Sequence, residues 1–134
     1  MHIVPLGPEA GRAVTHALKD HHVVALLSDR DIGGGGIDVT FFGERTTLPG
    51  GPAVLALRTG APLLPVAMYD RPEGMHHVVV KPPLPAERQG GFREDVSRLT
   101  QDLAHALEDL IRAAPDQWHL LQPNWPSDLP PVQL

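Results

Sequence analysis

No apolar run between residues 26 and 69 is long enough for an extended helix, because glycine, proline or clustered charge interrupts each one. The stretch reads LLSDRDIGGGGIDVTFFGERTTLPGGPAVLALRTGAPLLPVAMY. Its order predicts strand, mobile glycine loop, strand, polar turn, short buried helix, strand. Its polar residues gather where apolar runs end. Asp29, Arg30 and Asp31 follow VVALLS, and Glu44, Arg45, Thr46 and Thr47 follow IDVTFFG. In α/β folds ligands bind just beyond the carboxyl ends of strands. Two charged clusters at two such ends mark the place to look for chemistry.

The chain around this stretch has 134 residues, 42% of them hydrophobic, which suits one domain or a large part of one. Fifteen prolines and thirteen glycines predict many turns and a loop-rich end. The formal charge of −5 argues against nucleic acid, whose binding rests on clustered Lys and Arg. Lysine occurs only at Lys19 and Lys81, so attraction to anionic membranes is weak too. Without cysteine there is neither a disulfide nor a thiolate metal site. No run approaches the roughly 20 apolar residues of a membrane span, and no signal peptide is evident. The expectation is a soluble, cytoplasmic chain.

In order, residues 2–6 (HIVPL) read as a short edge strand. Pro8 then opens a helix running to Lys19, with Ala10, Val14, Ala17 and Leu18 at helical spacing. Residues 23–27 form a continuous apolar run, the pattern of a parallel strand covered on both faces. A right-handed strand–helix–strand unit would span residues 3–27. Residues 37–42 predict a strand, 53–59 a buried helix ended by Gly60, and 62–69 and 77–81 a hairpin across DRPEG. Residues 94–113 give the strongest helical pattern, with Val96, Leu99, Leu103, Leu107 and Leu110 as its stripe. Residues 118–125 make an apolar knot, and a Pro-rich tail follows, extended or disordered.

Several local signals carry two readings. The four glycines 33–36 offer bare N–H groups to a phosphate. They lack the order of a dinucleotide fingerprint and the Lys-Ser/Thr of a P-loop, so a flexible connector, or a lid, is the plainer reading. His21-His22 and His76-His77 are adjacent pairs whose members point to opposite faces in a strand, so no metal site is expected. Ser28, Ser97 and Ser127 lack the surroundings of a nucleophile. Trp118 and Trp125 read as packing anchors, as does His119 between them.

Three segments carry a family resemblance: LLSDRD (26–31), FFGERTTLPGGPAVLALRTGAPLLPV (41–66) and DQWHLLQPNW (116–125). The chain resembles the lysophospholipid acyltransferase superfamily, in its lipid A lauroyl/myristoyl acyltransferase branch, and most of all the phosphatidylinositol mannoside acyltransferases. The resemblance implies an α/β fold, a mixed and mostly parallel sheet flanked by helices, of which this is the C-terminal portion. Residues 1–125 would be the acyltransferase part and 126–134 the tail. The family's His-x-x-x-x-Asp/Glu motif is absent: none of the eight histidines has an acidic residue five positions later.

By that resemblance, Glu44 orients a histidine base that lies outside these residues. The base would deprotonate a hydroxyl of a glycolipid or phospholipid acceptor, which attacks an acyl-CoA or acyl-carrier thioester; no cofactor is implied. Arg30, Arg45 and Thr46 would bind substrate, the arginines through phosphate. Arg30 also reads as a structural partner of Asp29 and Asp31, and Glu44 as a turn residue or the ion-pair partner of Arg45. The chain alone is expected to be inactive. The longer form would sit peripherally on the inner face of the plasma membrane. Three rival readings are a non-catalytic lipid- or protein-binding module, a lauroyl-transferring relative, and a nucleotide-binding domain. An exposed sheet edge would favour self-association.

Overall fold

The computed structural model describes residues 2–5 and 7–130. The helix predicted over 94–113 is α3 (Phe92–Arg112), and most of the fold is laid against it. It starts at Gly91, where Glu94 reaches back to accept the Gly91 N–H at 3.1 Å. That bond satisfies a donor no intrahelical carbonyl can reach. Val96, Leu99, Leu103 and Leu110 of the expected stripe are buried, and Leu107 is half-buried.

A charge is buried alongside them. Asp95 is 2% exposed. It accepts from Arg88 Nε at 2.9 Å and from the Gln89 and Gly90 N–H groups at 3.1 and 3.4 Å. Burial pushes this carboxyl up, but the two N–H groups and the Arg88 guanidinium outweigh it and hold it below its ordinary value. Asp109 is lowered by its hydrogen bond to Lys81, and Asp128 by the N–H groups of Asn124 and Trp125. A depressed carboxyl contributes stability that is fully present above its unfolded value of about 3.9. That contribution is lost as pH falls through the lower folded-state value. Thermal melts between pH 7 and pH 2 are therefore expected to show a plateau down to about pH 4 and a fall below it. Asp95→Asn should lower the plateau and flatten the acid limb; an unchanged acid limb would show that Asp95 is not among the groups responsible.

Two antiparallel hairpins pack on this helix. β1 (Ile37–Phe41) pairs with β2 (Glu44–Leu48), with Ile37 opposite Leu48 and Phe41 opposite Glu44. α2 (Gly51–Thr59) follows. Its end is as predicted: Gly60 is left-handed at φ +73° and returns its N–H to Ala56. β3 (Val66–Asp70) then pairs with β4 (His76–Val80), the hairpin expected across DRPEG. Two apolar clusters form the core. Val39, Phe41, Leu48 and Ala104 make one, and Ala53, Ala56, Val96 and Leu99 the other. α1 (Ala10–Lys19) packs on α2 and buries no residue fully.

The mostly parallel sheet is not formed. Both described sheets are two-stranded and antiparallel. Residues 23–27 are not a strand; Val23 and Leu27 are 98% and 90% exposed. Residues 2–5 are not a strand either, so no strand–helix–strand unit exists there, and Leu6 lies outside the described residues. Residues 44–47, expected as a polar turn, belong to β2. The physical reason is local closure. The Phe42-Gly43 turn, with φ of +52° and +83°, folds the chain straight back on itself. On the far edge of β1, Gln101 accepts the Thr40 N–H and donates to the Thr40 carbonyl, both at 2.8 Å. With that edge taken by a helix side chain, no further strand adds there.

Candidate functional site

Residues facing each other across an antiparallel pair share a face, and neighbours along a strand alternate. Ile37, Val39 and Phe41 therefore share a face with Leu48, Thr46 and Glu44. This is the core face, on which Val39, Phe41 and Leu48 are buried. Arg45 lies on the opposite face, exposed, opposite Thr40. The fold thus brings Glu44 and Thr46 together and turns Arg45 away from them.

The end of the hairpin carrying Glu44 is held from three sides. Phe42 takes a left-handed conformation uncommon for a bulky residue, a strain that surroundings must hold in place. α3 supplies part of the hold: Glu108 accepts the Phe42 N–H at 2.8 Å and binds Arg112 at 2.7 Å. The Arg112 guanidinium lies 5.1 Å from the Phe42 ring centroid. The knot predicted at 118–125 supplies the second part. Trp118 and Trp125 close on Phe41 and Phe42 with ring centroids about 6 Å apart, and Trp125 Nε1 donates to the Phe41 carbonyl at 2.9 Å.

The third hold is the loop after the knot, on the stretch expected to be free tail. Pro126–Asp128 forms a single 3₁₀ turn docked on β2. Ser127 donates its N–H to Glu44 Oε1 at 3.0 Å and its hydroxyl to Glu44 Oε2 at 2.7 Å. Thr46 donates its hydroxyl to the Asn124 carbonyl. Asp128 braces the turn from within, accepting the Asn124 and Trp125 N–H groups at 2.8 and 3.0 Å. Residues 131–134 of the expected tail lie outside the described residues. Ser127→Ala removes one of the two donors to Glu44 and should cost at most about 1 kcal/mol. Urea unfolding measures it; a loss several times larger would mean the turn depends on the hydroxyl for more than that bond.

Glu44 has no cationic partner among the described residues, which removes the expected alternative of an ion pair with Arg45. The residue is half-buried, and its carboxylate is held by two neutral donors. Among the described residues, Asn124 Nδ2, in the same loop, is buried without a hydrogen-bond partner. A buried donor left unpaired is uncommon and calls for an acceptor.

The Asp29–Asp31 cluster is arranged differently from expectation. Asp29 accepts Trp118 Nε1 at 2.8 Å, and Asp31 accepts the Thr47 hydroxyl and the Gly36 N–H at 2.9 and 2.8 Å. With both carboxylates so engaged, Arg30 forms no ion pair with either among the described residues. The glycine loop also has a structural task. A Cβ on Gly36 would stand 2.6 Å from the Leu48 carbonyl oxygen and 2.7 Å from Asp31. The Gly36 amide, a donor a phosphate would want, is spent on the Asp31 carboxylate, whose charge would repel the phosphate. That counts against the nucleotide reading. Among the described residues no group of three His, Cys, Asp or Glu is placed to hold a metal ion. No described helix is long and apolar enough to cross a membrane.

The sequence pattern does not single out Asn124, Glu108 or Gln101, and it presents Ser127 only as a serine without the surroundings of a nucleophile. Asp128 four residues after Asn124 is the one local signal, since a carboxylate there can cap the preceding N–H groups.

Comparison with known sequences adds what geometry cannot. The model of a family described as bacterial lipid A biosynthesis acyltransferase matches residues 4–127. The chain is 40% identical over 116 residues to the phosphatidylinositol mannoside acyltransferase of Mycobacterium tuberculosis, covering 87% of this chain. It is 40% identical over 112 residues to the protein of that name from Mycolicibacterium smegmatis, covering 84% of this chain. In both cases the match spans 35% of the relative's length.

Proposed function

The chain belongs to the bacterial lipid A biosynthesis acyltransferase family, and from that premise we propose that it carries the carboxylate half of an acyl-transfer site. Glu44 would accept the Nδ1–H of a histidine supplied by sequence outside these residues. That bond fixes the tautomer and stabilises the imidazolium formed in the reaction. The histidine takes the proton of an acceptor hydroxyl. The freed oxygen attacks the carbonyl carbon of an acyl thioester, the C–S bond breaks, and the departing thiolate takes up the proton. An ester and a free thiol result, with no acyl-enzyme intermediate. The acceptor we favour is a mannose hydroxyl of a phosphatidylinositol mannoside, in line with the names of the relatives. Arg30 and Arg45, free of ion pairs among the described residues, are available to phosphate groups of donor or acceptor. Thr46, on the same face as Glu44, gives its hydroxyl to the Asn124 carbonyl and so holds the loop that carries Ser127. The site would work at the inner face of the plasma membrane.

The single observation that carries the reading is the state of Glu44: anchored by Ser127, without a cationic partner among the described residues, at the tip of a hairpin locked by α3 and the aromatic knot. A salt-bridged Glu44 would have its charge already spent.

The test is a chimera in which this chain replaces the aligned third of the smegmatis relative. It is assayed with a long-chain acyl-CoA and a phosphatidylinositol mannoside acceptor. Acyl transfer by the chimera and none by the chain alone is expected. Turnover by the chain alone at the chimera's rate would overturn the division of the site. The search for the base would then turn to His16, His21, His22, His76, His77, His105 and His119.

A further inference from the structure

Glu44 is gripped by one residue at both of its oxygens. Ser127 gives its N–H to Oε1 and its hydroxyl to Oε2. The second bond does what the first cannot. The terminal torsion of a glutamate side chain is broad, so a carboxylate with one donor can turn about its last bond. Two donors on one 3₁₀ turn, one to each oxygen, set the plane of the carboxylate as well as its position.

Docking of the turn does not need the hydroxyl. Trp125 Nε1 is tied to the Phe41 carbonyl, Thr46 to the Asn124 carbonyl, and Asp128 to the Asn124 and Trp125 N–H groups. The Ser127 N–H adds one more tie to β2. Removing the hydroxyl therefore leaves the turn in place and releases one carboxylate oxygen. Its contribution is direction. Both donors are neutral, so neither cancels the charge of Glu44. Capacity remains as well: a carboxylate offers about four lone-pair sites, and the two bonds from Ser127 take two of them. An imidazole N–H can be accepted with Ser127 still bound.

We propose that Ser127 is a positioning residue of the acyl-transfer site, whose N–H and hydroxyl fix the carboxylate plane of Glu44 so that a free lone pair meets the Nδ1–H of the histidine base. The role rests on the acyl-transfer reading of Glu44, because a fixed plane matters only where an imidazole uses it. Ser127 acts through Glu44 and needs no contact with substrate. An imidazole bonded to a carboxylate that swings loses part of its orientation, and misplacement of a reacting group slows the chemical step more than it weakens binding.

The experiment has two arms. In the chain alone, carbon-13 relaxation at the Glu44 carboxyl group reports how freely it reorients. A rigid carboxyl is expected in wild type and in Ser127→Thr, which keeps the hydroxyl, and a mobile one in Ser127→Ala. In the chimera, Ser127→Ala should lower kcat by about 10–100-fold, with KM and the urea midpoint close to wild type. Ser127→Thr should restore most of the rate. Glu44→Gln in the same chimera separates the two claims. If Glu44→Gln is slow and Ser127→Ala keeps the wild-type rate, Ser127 is only a structural tie: the proposal falls and the acyl-transfer reading stands. If Glu44→Gln keeps the wild-type rate, both fall. A faster Ser127→Ala chimera would also overturn the proposal, since the turn would then be blocking Glu44. So would a mobile Glu44 carboxyl in the wild-type chain, a measurement that decides even where Ser127→Ala fails to fold or the chimera does not turn over.

Discussion

Phe41→Ala should cost about 3–5 kcal/mol. That is comparable with the whole stability of a small domain, about 5–15 kcal/mol. Phe41 is fully buried, and its ring touches three other aromatic rings at centroid distances of 4.8 to 6.0 Å. The cost therefore goes beyond lost transfer free energy. The cavity would lie where the β1–β2 hairpin, α3 and the C-terminal knot meet, and these parts are held to one another largely through that ring. Urea unfolding by circular dichroism would show most of the midpoint lost. Phe41→Leu, which keeps much of the volume, should retain a cooperative transition. A Phe41→Ala variant within about 1 kcal/mol of wild type would mean the knot contributes little to holding the hairpin.

Glu44→Gln should leave stability almost unchanged and lower acyl transfer by about 10²–10⁴-fold in the chimera, acting on kcat more than on KM. The separation follows from what glutamine keeps. Its side-chain oxygen still accepts from Ser127, so the turn and β2 stay docked. What it loses is the negative charge that would stabilise an imidazolium, and its amide presents a donor where an acceptor is needed. Equal losses of stability and activity would instead mark Glu44 as a structural cap for the C-terminal turn.

Some elements announce themselves and others do not, for identifiable reasons. α3 is legible because its five-member stripe and its charged ends act locally. α2 is legible because Pro52 and Gly60 bracket it, each suited by backbone geometry to its end of a helix. β2 is not, because ERTTL lacks the usual alternation of apolar and polar residues. Its inward positions Glu44 and Thr46 are covered by the polar loop at 124–127 and not by core. The partnership of Ser127 with Glu44 spans 83 residues, a distance no local pattern bridges. The error at residues 23–27 is of another kind. A continuous apolar run signals burial on both faces, and among the described residues nothing covers Val23 or Leu27. Within the candidate site, Glu44 and Thr46 were found together by motif. That Arg45 faces the other way follows from strand alternation once β2 is recognised.

The measurement closest to the central claim is an NMR titration of the histidine of the His-x-x-x-x-Asp/Glu motif in the chimera, with and without Glu44→Gln. A carboxylate bonded to an imidazole favours its charged form and raises its pKa by about one unit or more. The account predicts a raised value with Glu44 present and a fall toward the ordinary histidine value of about 6.5 in the Glu44→Gln chimera. Identical titrations in the two proteins would contradict it, since Glu44 would then not touch the imidazole it is assigned to hold.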